Sequence, residues 1–99
     1  MKKALLIFTL GVLSAASSFA ATLQPNAIIA TSVENLEKAS VFVAHHDEAG
    51  LEEMDREGKI NTFKIPLEVT VHQRSFLWVS FSFPGKTDVL YTATEMVKD

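Results

Sequence analysis

The chain has 99 residues, no cysteine, and a formal net charge of −3 from nine Lys and Arg against twelve Asp and Glu. That length has room for one small domain. The missing thiols exclude disulfides, thiolate metal sites and a lipid anchored on cysteine, and the acidic balance argues against nucleic acid or an anionic membrane as partner.

Met1-Lys2-Lys3 is a short basic start, and Ala4–Leu13 is an apolar run of signal-peptide length, short for a bilayer span. Ser18 and Ala20 fit the small-x-small rule and place cleavage after Ala20. Residues 1–20 are therefore expected to be a cleaved signal peptide, and 21–99 a single domain delivered to the periplasm with no stable membrane anchor. No arginine pair precedes the apolar run, which predicts export in the unfolded state. Without Lys2 and Lys3, seven basic residues face twelve acidic ones, a net of −5. A domain of this size buries only about 60% of its unfolded surface. With no disulfide it must pack its aromatics well, borrow a partner or form a homodimer.

Leu23 to Asn26 is a lead-in containing Pro25, and Ala27-Ile28-Ile29-Ala30 reads as a first strand. Thr31 and Ser32 then offer an N-cap, and Thr31 with Glu34 three residues on has the spacing of a capping box. Val33, Leu36, Ala39, Ser40 and Val43, flanked by Phe42, fall on one stripe and predict a helix from about Ser32 to about His45. Asp47 predicts a second N-cap, for a short helix through Leu51 and Met54 that ends at Gly58. Gly50 inside it weakens that helix, and one bent helix is the alternative. From Glu34 to Glu57 eight acids face only Lys38 and Arg56, a net of −6. Glu48, Glu52, Glu53 and Asp55 make this an acidic face, either simply solvated or able to steer a basic partner.

The second half reads as strands. Ile60–Phe63 is one. Ile65, Leu67, Val69 and Val71 then alternate with Pro66, Glu68, Thr70 and His72, while Leu77, Val79, Phe81 and Phe83 alternate with Trp78, Ser80 and Ser82. Period two is the mark of strands with one buried face, and Gln73-Arg74-Ser75 has the length of a hairpin break. Pro84-Gly85 is a turn signal. Thr87–Tyr91 is a last strand, and Thr92 with Glu95 repeats the capping-box spacing for one closing helical turn, Ala93–Lys98.

The order of elements resembles the small exported bacterial proteins with an SH3-like barrel, in which a helical hairpin follows the first strand. The stretches that carry the resemblance are Ala30-Thr31-Ser32-Val33-Glu34-Asn35-Leu36-Glu37-Lys38-Ala39, the restart at Asp47, Gly58-Lys59-Ile60, Val69-Thr70-Val71, and Tyr91-Thr92-Ala93-Thr94-Glu95-Met96. Pro66-Leu67 stands where the family pattern has a Gly before the Val-x-Val strand. The resemblance implies an exported location and an α+β fold, a partly open antiparallel barrel of about five strands with an inserted helical pair. The runner-up architecture is a sheet with the helices packed on one face. The family carries no assigned activity.

The candidate partner-binding residues are Phe76 and Trp78, which period two sends to the face opposite Leu77, Val79, Phe81 and Phe83, with Tyr91 as an extension. An outward aromatic patch marks an interaction site; the alternative is that the helical pair covers that face and makes both rings core. Ser75–Gly85 carries no charge, which also makes strand pairing with another chain conceivable. His45-His46-Asp47-Glu48 has the composition of a metal site but poor spacing, because adjacent helical residues diverge. No metal ligand, cofactor or catalytic residue is assigned. His72 stands mid-strand without a nucleophile motif, so the chain is expected not to be an enzyme. Two functions remain: an exported binding module that holds a protein or peptide on the aromatic face, or an acidic inhibitor or immunity-type protein that blocks a basic toxin or hydrolase.

Overall fold

A computed structural model describes residues 18–99; the basic start and apolar run expected to form the leader lie outside the described residues. Among the described residues seven strands, two helices and a 3-10 turn follow one another: β1 (Phe19–Leu23), β2 (Ile29–Ala30), α1 (Val33–Ala44), α2 (Glu48–Arg56), β3 (Ile60–Asn61), β4 (Leu67–Arg74), β5 (Trp78–Ser82), β6 (Leu90–Ala93), the turn Thr94–Met96, and β7 (Val97–Lys98). All pairings are antiparallel, and the sheet order is β3-β2-β6-β5-β4-β1-β7. The α+β class is as expected, and the strand count rises from about five to seven. Three of the seven, β2, β3 and β7, have two residues each, too few to produce a periodic signal.

One strand precedes the expected first one. β1 pairs with β4 along its whole length, from Phe19 opposite Val71 to Leu23 opposite Leu67. Phe19, Ala21 and Leu23 therefore stand on the face of Val71, Val69 and Leu67, alternating with Ala20 and Thr22. Its first two residues fall inside the segment expected to be leader.

The sheet has a different core on each face. On the inner face Ala21, Leu23, Ala27, Ile29, Val69, Val71, Val79, Phe81 and Val97 form one cluster. Ile29 comes from near one end of the strand order and Val97 from the other, so the sheet curls around this face. Phe81 meets Phe83 edge-on at 5.7 Å between ring centroids, and Phe83 meets Phe63 in the same way at 6.2 Å. Of the three only Phe81 is fully buried, and burial of such a side chain contributes roughly 1.5–3 kcal/mol. On the outer face the helical pair covers the β3-β2-β6 end. Leu36, Ala39 and Met54 meet Ala30 and Ile60 there, with Phe42, Leu51, Trp78 and Tyr91 packed around them.

The second helix is capped as expected, and in the first the cap falls to the second of the two hydroxyls on offer. Ser32, not Thr31, is the N-cap of α1: its hydroxyl accepts the Asn35 N–H at 3.0 Å. Thr31 Oγ1 instead accepts the Asn35 side-chain amide at 2.9 Å. Asp47 caps α2, accepting the Gly50 N–H at 3.0 Å. The pair is two helices rather than one bent one, and His46, at φ +55°, makes the break. Gly58 follows the C-cap at φ +78°, a conformation that suits a residue without a Cβ.

The central hairpin is displaced by a bulge. β4 advances from Val71 to Gln73 while β5 steps only from Phe81 to Ser80, so His72 is an extra residue in the ladder. β4 consequently runs on through Gln73 and Arg74, and the expected break there becomes strand. The tip moves to Phe76 and Leu77. Leu77, expected on the core face, lies at this tip, and Ile65 stands exposed ahead of β4. At the chain's end Thr92 is not a cap. It is a buried strand residue whose hydroxyl donates to the Ile28 carbonyl at 2.9 Å. The last full strand is Leu90–Ala93 rather than Thr87–Tyr91, and only Thr94–Met96 turns helically.

Candidate functional site: the hairpin tip and the acidic helix

The tip is apolar and held by hydrogen bonds. Phe76 is 93% exposed and Leu77 70%. Ser75 donates its backbone N–H to the Trp78 carbonyl at 2.8 Å, and its hydroxyl accepts the Trp78 N–H at 3.1 Å. The Ser75 carbonyl is taken by the Thr94 hydroxyl at 2.9 Å, and the Thr94 N–H donates to the Leu77 carbonyl at 3.2 Å. The β4–β5 turn is thus tied down by β5's own start and by the 3-10 turn after β6. Two large apolar side chains project from a frame in which the backbone polar groups of Ser75 and Trp78 are paired.

The three residues predicted to form one aromatic face do not stay together. Trp78 and Tyr91 do meet, edge to face at 5.5 Å between centroids and 75°. Both are half-buried against the cluster beneath the helices. Phe76 points away from them at the tip, where Leu77 is its neighbour. The helices therefore cover the Trp78 face while leaving Phe76 free. Period two counted back from Val79 and Phe81 turns Leu77 inward, but β5 begins only at Trp78 and Leu77 lies in the turn before it.

Glu48, Glu52, Glu53 and Asp55 are all exposed on α2. Glu52 and Asp55 flank a groove of about 200 Å³ whose floor is Ile28, Leu51 and Ile60. An acidic rim over an apolar floor suits the long stem and charged head of Lys or Arg. The neighbouring Glu57 is paired with Lys59 at 3.1 Å.

His72 sits at the bulge with its Nε2 2.8 Å from the Ser82 hydroxyl and its Nδ1 3.4 Å from that of Ser18. A histidine beside a serine is the beginning of a nucleophile arrangement. Ser82, however, is 5% exposed at the end of β5, and a hydroxyl so buried offers a substrate no approach. The contact bridges β4 and β5 across the bulge. Among the described residues no group of three or more His, Asp or Glu that could hold a metal ion comes together, and no helix is long and apolar enough to cross a membrane.

The tip and the acidic helix thus belong to an α+β domain with an open, curled antiparallel sheet. No family model matches the chain, and no curated protein and no solved structure matches it either.

Proposed function

We propose that this chain is an exported, periplasmic binding module without enzymatic activity, built as an open SH3-like barrel, which holds a protein or peptide through the hairpin tip. The observation that carries the reading is the exposure of Phe76 and Leu77 on a hydrogen-bonded frame. Exposed apolar side chains on a pre-ordered turn lose little entropy on binding, which is what an anchor requires. Trp78 and Tyr91 serve beneath the tip as its half-buried support. The barrel reading is supported by the order β7-β1-β4-β5-β6, with a 3-10 turn between β6 and β7. In that reading β2, the helices and β3 form an insertion between β1 and β4. The test is capture from a periplasmic extract. Wild-type protein is expected to retain a partner that the Phe76→Ser/Leu77→Ser variant loses while remaining folded; equal recovery by both would sink the proposal.

A second reading is favoured by the acid-rimmed groove at Glu52 and Asp55: an inhibitor or immunity-type protein that blocks a basic toxin or hydrolase. It predicts binding that weakens with salt and is lost with Glu52→Lys/Asp55→Lys but not with the tip variant. Salt-insensitive binding would exclude it.

A further inference from the structure

We infer that the exported chain keeps Phe19 and Ala20, with processing upstream of β1 and Ser14-Ala15-Ala16 as the preferred cleavage signal. The inference rests on the reading of the N-terminus as a cleaved export leader and moves its end. Cleavage after Ala20 would cut β1 in the middle, since Ala20 stands opposite Thr70 and Ala21 opposite Val69. Two of the five paired positions would go, and β1 would shrink to three residues. A new ammonium group would sit on Ala21, which is 6% exposed, and a charge near the core is costly.

Phe19 is also more than a strand position. It stands opposite Val71, a core residue. The Arg74 guanidinium lies 5.8 Å from the Phe19 ring centroid, within cation–π range, and the same guanidinium donates to Asp99 Oδ1 at 3.1 Å. Phe19, Arg74 and Asp99 thereby join the first strand, the end of β4 and the end of the chain. Ser18, one residue earlier, reaches His72 at the bulge. Cleavage after Ala20 would discard the Phe19 and Ser18 contacts and leave Arg74 with Asp99 alone.

The sequence offers an alternative that keeps them. Ser14 and Ala16 satisfy the small-x-small rule as Ser18 and Ala20 do, and they follow the apolar run that ends at Leu13. Cleavage after Ala16 leaves a leader within the usual range of about 15–30 residues. Ala16 and Ser18 fit the same rule, and cleavage after Ser18 would also spare β1.

The test is the intact mass of the chain recovered from the periplasm of a bacterial host. A product beginning at Ser17 or Phe19 is expected. A periplasmic product beginning at Ala21 would overturn the inference and leave the export reading standing. An unprocessed chain confined to the cytoplasm would overturn both. A second measurement compares the melting of residues 17–99 and 21–99. The shorter chain is expected to melt lower by about 4 °C or more, the scale of shift a modest stability loss produces in a domain of this size. Equal melting temperatures would remove the physical basis of the inference.

Discussion

Phe42 of α1 occupies the space that a side chain at Gly50 of α2 would need: a Cβ built on Gly50 would lie 2.9 Å from the Phe42 ring. The glycine that makes α2 look weak as an isolated helix is what lets the two helices approach. Gly50→Ala relieves a helix-propensity cost of up to about 1 kcal/mol but overpacks the contact by about 1–3 kcal/mol. The variant is expected to be less stable by about 1 kcal/mol in urea unfolding. In a Phe42→Ala background the same substitution should become neutral or stabilising, and a cost that persists there would show that Phe42 is not the obstacle.

The tip frame should be separable from the tip side chains. Ser75→Ala removes the acceptor for the Trp78 N–H, and Thr94→Val removes the donor to the Ser75 carbonyl. Each is expected to cost about 1 kcal/mol and to weaken partner capture. Phe76→Ser is expected to leave stability within about 0.5 kcal/mol, as for an exposed position, while abolishing capture. Urea midpoints set against capture yields would distinguish the two classes.

Thr92 ties β6 to the residue before β2 by donating to the Ile28 carbonyl from a fully buried position. Thr92→Val keeps the shape and leaves that carbonyl without its partner, at a cost of about 1–3 kcal/mol. Thr92→Ser keeps the hydroxyl and is expected to lose only the methyl contribution. A Val variant as stable as wild type would mean that water replaces the hydroxyl.

Trp78 is the only tryptophan, and its half-buried ring packs on Tyr91. Its emission is expected to be blue-shifted and only partly quenched by acrylamide, at every protein concentration. Phe76→Ser should leave the spectrum unchanged. A red, freely quenched signal from folded protein would place Trp78 on the surface, and a blue shift appearing only at high concentration would indicate self-association through that face.

The cap of α1 gives a further check. Ser32→Ala is expected to cost about 1 kcal/mol, the usual value for losing an N-cap hydroxyl. Thr31→Ala, on an exposed residue outside the cap, should cost a few tenths. Thermal unfolding of the two variants reads the difference directly, and a reversed order would return the cap to Thr31.

Much of the fold was legible because local signals and tertiary packing agreed. The stripe from Val33 to Val43 and the carboxylate of Asp47 define the helices from neighbouring residues alone. Val69, Val71, Val79 and Phe81 alternate strictly, and all four are core. At the candidate site local signals and tertiary packing agreed only in part. Phe76 was recognised as an outward aromatic, but its grouping with Trp78 depended on a straight strand. The bulge at His72 has no local signature, because it answers to the neighbouring strand and not to residue type. β1 carries the period-two pattern Phe19, Ala21, Leu23, but adjoining small residues also fit a cleavage signal.

What the sequence by itself determined, then, is the class of each long element, the helix starts to within a residue, and the inner face of the central hairpin. These depend on periodicity and on hydrogen bonds that span three or four residues. The tertiary structure alone decided the seven-strand order, the burial of Trp78 beneath the helices and the release of Leu77 to the tip. Each of those turns on a contact between distant parts of the chain: β1 on β4, α1 on β6, and one extra residue in β4 against β5. Such contacts are selected by the packing of the whole, and no local window holds both partners.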